Sequence, residues 1–225
     1  MRLVTFGCSM TLGDALPDRW DYEKKKPDCN KGPSKYAWPQ LLADKLNIEC
    51  VNAGFSGASN KKIWWDALNF DYQNTDIVII LWSFLSRSCI ITGPNKRDHI
   101  TFGTWSDNDP GVSFYKHWYR EYDMLVDFYL RCNHLHNFLI DKVKTIYYAE
   151  SSNSSLIKIG TDAEEQTFVP IKDVIKFNKI TFLKSSLWHI REEIKSLALD
   201  NAHPGIEANE QFATEVYNEI KNEIT

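Results

Sequence analysis

Between Asp76 and Trp82 the chain reads D-I-V-I-I-L-W, an acid followed by an unbroken apolar run rich in β-branched residues and closed by Ser83. A run this short with no polar alternation has no side to turn to water. It is the pattern of a strand covered on both faces in a parallel sheet, and it is the candidate for that sheet's centre. Parallel neighbours can be joined only by crossovers lying on the faces, so the rest of the chain must supply helices. The same run is the longest strictly apolar stretch, far short of the roughly 20 residues a membrane helix needs. The N-terminus carries no apolar signal region, and a cytoplasmic protein with no membrane partner is expected.

The flanking sequence supplies those helices. Met1 to Phe6 reads as a first strand stopped by Gly7. Trp38, Leu41, Leu42 and Leu46 recur at helical spacing and predict a helix over 36–46, with Pro39 acceptable near its start. A strand is expected over 48–51, then a glycine-rich turn from Asn52 to Asn60 into a helix carrying Ile63, Trp64, Ala67 and Leu68. A long helix over 118–143, a strand over 144–148, a short strand over 180–183, a helix over 187–197 and a last helix after Pro204 follow. In the last, Phe212, Val216, Ile220 and Ile224 fall four apart as one apolar stripe. Two stretches lack a period: 17–34, read as an exposed loop, and 83–117, read as a long ordered loop or lid rich in Gly, Pro, Asp and Asn. Alternating strands and helices predict a three-layer α/β/α sandwich with a mostly parallel sheet, and 225 residues suit a single domain over 1–225.

Composition narrows the function classes. Asp plus Glu outnumber Lys plus Arg by 30 to 26, so there is no basic field to attract a polyanion, and no nucleic-acid partner is expected. Five scattered cysteines without a C-x-x-C pair suggest neither a disulfide framework nor a zinc knuckle. His134 and His136 are two apart on a predicted helix, face different ways, and do not form a metal pair. Neither cofactor nor metal is expected.

Sites in open parallel sheets form at the carboxyl ends of the strands. Those ends here are Gly7-Cys8-Ser9, then Gly54 and Gly57 with Asn60, then Ser83, Ser86 and Arg87; near the C-terminus stands Asp200-Asn201-Ala202-His203-Pro204. A serine nucleophile needs a base to take its proton, and the base needs an acid to hold its tautomer. Asp200 and His203 meet the second need within one loop, and Pro204 suits a first helical position that would aim His203 across the sheet edge. The backbone N–H groups of Ser9 and Gly57 can face a developing oxyanion. Each element has a plainer reading: Ser9 as a turn former, Asp200 as a local cap, His203 as a solvated loop residue, Cys8 as packing, and Arg87 as a surface or ion-paired residue. Asn52 and Asn60 are expected to bond local backbone. The aromatic residues Trp105, Phe114, Tyr115 and Trp118 are expected to pack the long loop onto the core.

Taken together, F-G-C-S-M-T-L-G over 6–13, V-N-A-G-F-S-G over 51–57 and D-x-x-H-P over 200–204 resemble the motif blocks of the SGNH, or GDSL-like, hydrolase superfamily. The resemblance implies a flavodoxin-like sheet order, Ser9 as nucleophile, His203 as general base, Asp200 as its orienter, and Ser9 with Gly57 as oxyanion donors. It also implies a serine ester hydrolase, with a small O-acyl group on a carbohydrate as the substrate expected by analogy. The chain departs from the pattern after the third strand: where the family has Gly-x-Asn-Asp, this sequence has W-S-F-L-S-R over 82–87. Losing an oxyanion donor costs about 2.7 to 4 kcal/mol of transition-state stabilisation. Ser83, Ser86 and Arg87 are the candidates to replace it or to contact substrate. An acyltransferase using the same residues, or a silent protein that keeps only the fold, are the alternatives.

Overall fold

A computed structural model describes the chain except residues 96, 97, 105, 108, 151–155, 160–166, 171–179, 181 and 225. The N-terminal half contains β1 (Arg2–Phe6), α1 (Ser9–Leu12), β2 (Trp20–Asp21), β3 (Lys26–Pro27), α2 (Trp38–Leu46), β4 (Glu49–Asn52), α3 (Asn60–Leu68) and β5 (Ile77–Trp82). Then come β6 (Ser88–Ile91), β7 (His99–Phe102), α4 (Asp109–Ser113), α5 (Glu121–Leu139), β8 (Thr145–Glu150), β9 (Leu156–Ile159) and β10 (Thr167–Pro170). The chain closes with α6 (Leu187–Ile194) and α7 (Ile206–Ile224).

The central sheet is parallel in the order β4-β1-β5-β8. Every residue of β5 is buried, as its composition requires, and with β1 it occupies the middle of the sheet. Trp82 at its end meets the Phe128 ring edge-on at 5.4 Å and lies parallel to Tyr148. Burying such side chains contributes about 1.5 to 3 kcal/mol each. One outer layer pairs α2 with α7, where the stripe Phe212, Val216, Ile220 and Ile224 is buried and Phe212 packs edge-on against Trp38 at 5.4 Å. The Trp38 N–H, left over at the start of α2, donates to Asn209 Oδ1 of α7 at 3.0 Å. The other layer pairs α3 with α5. Together they make the three-layer α/β/α architecture, and among the described residues no helix is long and apolar enough to cross a membrane.

Several expectations need correction. The 83–117 stretch, expected as a long ordered loop or lid, holds regular elements: the antiparallel hairpin β6–β7, the short helix α4 and a π-helical turn at Phe114–Trp118. Four-residue strands complete only two periods, too few to stand out in a sequence. Phe114 packs on Phe102 at 5.0 Å, and Tyr115 donates to the carbonyl of Phe102 at 3.2 Å, so these two rings pack within the segment itself. Trp118 does not, being 73% exposed, and Trp105 lies outside the described residues. The long helix begins at Glu121, because Arg120 is extended, and ends at Leu139. Of the expected strand over 180–183 there is one bridge, Phe182 to Tyr148, while residue 181 is outside the described set. The helix after it stops at Ile194, with Lys195 in the left-handed region.

The 17–34 segment is exposed along its lysines but is tied at its root by a buried ion pair. Arg19 donates to Asp14 Oδ1 at 2.9 and 3.2 Å, with both side chains 3% exposed. The same guanidinium donates to the carbonyls of Lys31 and Gly32, closing the loop on itself. Removing one member leaves a buried charge without its partner. Asp14→Ala and Arg19→Ala are each expected to lower stability by about 3 to 5 kcal/mol. Urea unfolding of each variant measures this, and a loss under about 1 kcal/mol would show that the pair is dispensable.

Candidate active site

The site begins where β1 stops. A Cβ on Gly7 would lie 1.9 Å from Thr11 Oγ1 and 3.0 Å from the Leu81 carbonyl, so only glycine lets the chain turn between β5 and the first turn of α1. That turn makes Ser9 the first residue of α1, 5% exposed, while Cys8 before it is wholly buried packing. The helix ends after one turn because Gly13 takes a left-handed φ of 80°. Gly54 then packs backbone to backbone on α1: a Cβ there would be 2.7 Å from the Leu12 nitrogen. Asn52 secures the approach by accepting the Gly54 N–H at 2.9 Å, the local turn role expected of it, and by donating to the Thr11 carbonyl at 2.7 Å, 41 residues away, which was not expected. Asn60 differs from expectation, since its Oδ1 accepts the N–H of Ser83 at 2.7 Å, 23 residues away. Gly57, at φ 73°, occupies the left-handed region that favours glycine.

The partner loop is held from the other end of the chain. Asp200 Oδ1 accepts the N–H groups of Ala202 and His203, both at 2.9 Å, which shapes a tight turn with Asn201 at φ 56°. The loop is moored by Leu199 N–H on the Ala15 carbonyl at 3.1 Å and by a bridge between Leu197 and Pro204. Pro204 is therefore not the first helical residue, because α7 starts at Ile206 and Pro204 is engaged in that bridge. A Cβ on Gly205 would meet Ser196 Oγ at 2.5 Å, so the chain leaves the bridge through a glycine.

The two ends meet side chain to side chain. His203 Nδ1 lies 2.5 Å from Asp200 Oδ2, and His203 Nε2 lies 2.9 Å from Ser9 Oγ. With Asp200 ionised, Nδ1 donates to it and Nε2 is left to accept from the Ser9 hydroxyl. Burial opposes ionisation of Asp200, but the hydrogen bonds from the His203 ring and from the His203 and Ala202 N–H groups outweigh it. They hold the carboxyl down at about 2. Chemically, a hydroxyl, an imidazole acceptor and an ionised carboxylate in series can pass one proton from Ser9 to His203 and back.

Ser9 and His203 open onto a cavity of about 470 Å³ whose walls include Met10, Phe84, Arg87 and Trp188. Of the three residues considered as replacement donors, Ser86 and Arg87 line it. Ser83 does not: it is buried behind the wall with its N–H held by Asn60. Phe84 and Trp188 pack edge to face at 5.3 Å. The wall residues Met10, Thr104 and Trp188 escape sequence reasoning. The available signal was Trp188, a large apolar residue outside the buried positions of its helix, which are Leu187, Ile190 and Arg191. Elsewhere His134 accepts from Trp64 Nε1 at 3.0 Å, and no cluster of His, Cys, Asp and Glu suited to a metal occurs among the described residues.

Two outcomes follow. Because the Asp200 pKa is depressed from 3.8 to about 2 on folding, its contribution is present above about pH 4 and lost as pH falls through 2. Asp200→Asn is expected to reduce stability by about 2 kcal/mol at pH 6, with the gap to wild type shrinking between pH 4 and pH 2. Denaturant unfolding across that range measures the gap, and a constant gap would contradict the account. Gly7→Ala is expected to lower stability by about 2 kcal/mol or more, from the clash with Thr11, as read by thermal unfolding.

No protein-family model matches the sequence, and no curated protein matches it. Solved structures do. A carbohydrate esterase family 2 enzyme with a carbohydrate binding domain, from Corynascus thermopiles (Myceliophthora fergusii), is similar at a TM-score of 0.56 and 10% identity, over 98% of this chain and 65% of that one. An acetylxylan esterase from Geobacillus stearothermophilus, in a catalytic mutant form, is similar at 0.51 and 18% identity, over 97% and 93%. A G-D-S-L family protein from Desulfitobacterium hafniense DCB-2 aligns at 0.48 and 12% identity, over 96% and 98%. At these identities the likeness is one of fold.

Proposed function

We propose that this chain, whose fold is that of the SGNH/GDSL-like hydrolases, is a serine ester hydrolase with Ser9 as nucleophile, His203 as general base and Asp200 as the residue that orients it. The observation that carries the reading is the continuous hydrogen-bonded series from Asp200 through His203 to Ser9, at the mouth of a cavity and at the carboxyl end of β1. Ser9 Oγ attacks the ester carbonyl as Nε2 takes its proton, and the oxyanion forms toward the N–H groups of Ser9 and Gly57. Collapse expels the alcohol, protonated by His203, and leaves an acyl-enzyme. Water, deprotonated by the same imidazole, then releases the acid and restores Ser9. Asp200 keeps the ring in the productive tautomer throughout.

A cavity of about 470 Å³ with an aromatic wall suits a small acyl group on a ring-bearing alcohol, which supports O-acetyl or another short acyl group on a carbohydrate as the substrate class. Passing the same acyl group to an alcohol would make the protein a transferase. Acceptor-dependent product would reveal that.

A fluorophosphonate probe is expected to label wild type and not Ser9→Ala. Hydrolysis of 4-nitrophenyl acetate is expected to fall by about 10³-fold or more in Ser9→Ala and in His203→Ala. If wild type neither labels nor turns over faster than Ser9→Ala, the protein keeps the fold without this chemistry.

A further inference from the structure

The walls of the cavity beside Ser9 include two stretches that belong to neither the central sheet nor its covering helices. One is the turn after β5, with Phe84, Ser86 and Arg87, and the other is the stretch after β7, with Thr104. The packing that places Ser9 and His203 does not by itself place these. The turn after β5 is fixed at its start, where Asn60 Oδ1 accepts the Ser83 N–H at 2.7 Å, and it is closed on itself by the Arg87 N–H on the Phe84 carbonyl at 3.0 Å.

The Tyr115 hydroxyl joins the two stretches. It donates to the Ser86 carbonyl, in the middle of the turn, and to the Phe102 carbonyl at 3.2 Å, two residues before Thr104. A phenol has one proton to give, so a single donor is shared between the two parts of the wall. The ring that carries it is set by other contacts: it meets Phe114 edge-on at 5.2 Å and lies 5.3 Å from the Tyr119 ring. It stands on the π-helical turn at Phe114–Trp118, which the Tyr119 N–H closes on the Phe114 carbonyl at 2.9 Å. Burial raises the Tyr115 pKa above that of an exposed phenol, with the charge of Arg87 acting against the rise, so the hydroxyl keeps its proton and remains a donor at neutral pH. Ser9, His203 and Asp200 are set by a separate group of contacts, through Gly7, Gly54, Ala15 and Pro204.

We infer that Tyr115 is a positioning residue: its hydroxyl ties the 84–87 turn to the 102–104 stretch and so holds the shape of the space that receives the ester beside Ser9. The inference deepens the ester-hydrolase reading and rests on it. Wall contacts are made by the bound ester and by its transition state alike, whereas the proton path from Ser9 to His203 does not pass through Tyr115. Loosening the wall therefore weakens binding and leaves the acylation step as it was.

Tyr115→Phe tests this, because it removes the hydroxyl and keeps the ring. The matched control is Tyr147→Phe, which removes a hydroxyl that donates to Glu223 Oε2 at 2.8 Å between β8 and α7. Pre-steady-state release of 4-nitrophenol from 4-nitrophenyl acetate, followed over a range of ester concentrations, gives the Kd of the bound ester and the rate of acylation separately. In Tyr115→Phe the Kd is expected to rise by about three- to tenfold, the range for loss of one hydrogen bond, with acylation within about twofold of wild type. In Tyr147→Phe neither is expected to move. An unchanged Kd in Tyr115→Phe overturns the inference, as does a slower acylation at constant Kd, which would place the hydroxyl's effect on the reacting groups. Equal changes in the two variants also overturn it, since a general loss of stability would act in that way. Hydrogen exchange reads the turn without turnover: the Arg87 amide is expected to exchange about fivefold faster or more in Tyr115→Phe and at the wild-type rate in Tyr147→Phe, and an unchanged rate in Tyr115→Phe overturns the inference. If wild type is no faster than Ser9→Ala on this ester, the hydrolase reading fails, and exchange at Arg87 still decides whether Tyr115 holds the turn.

Discussion

Burial of β1 and β5 on both faces is the constraint on which the other features rest. With no water at either face, their backbone groups can be satisfied only by neighbouring strands, and they pair in parallel with β4, with each other and with β8. Parallel pairing forces every connection over a face and leaves all four strand ends opening at one edge of the sheet. Gly7, the glycine turn after β4 and the 82–87 turn after β5 therefore converge without any attraction between them.

Backbone contact does the finer positioning. Gly7 and Gly54 let α1 press against the end of β5 and the loop after β4, so Ser9 is set by main chain packed on main chain. Such contacts resist displacement because a packed interior deforms little. The loop carrying Asp200 and His203 gains a comparable setting from hydrogen bonds to its own backbone, from the Ala15 carbonyl and from the bridge at Pro204. Ala15 lies beside Asp14, whose pairing with Arg19 anchors the 17–34 loop. The two arms of the site thus share one buried root.

What could be read from the sequence was what local spacing carries. The β5 run, the stripe of α7, the glycine turn and the D-x-x-H loop each fit within a few residues, and Ser9, His203 and Asp200 stand in contact in the structure. Pro204, Asn60 and the 83–117 segment read differently in the structure, because each is engaged by a partner outside the few residues that a local rule spans. Pro204 bridges to Leu197, Asn60 bonds Ser83, and the β6–β7 hairpin is held down by aromatic residues from the segment after it. Local rules for helix starts and turns do not see such partners.

The sequence by itself determined the sheet, its covering helices and the identity of the residues able to pass a proton, because hydrophobic period and residue chemistry are local properties. Only the tertiary structure decided which of Ser83, Ser86 and Arg87 reach the cavity and that Trp188 forms part of its wall. Those facts depend on which side chains from α6, the 82–87 turn and the 200–203 loop meet in space. That is set by the packing of helices on the sheet, and no spacing along the chain encodes it.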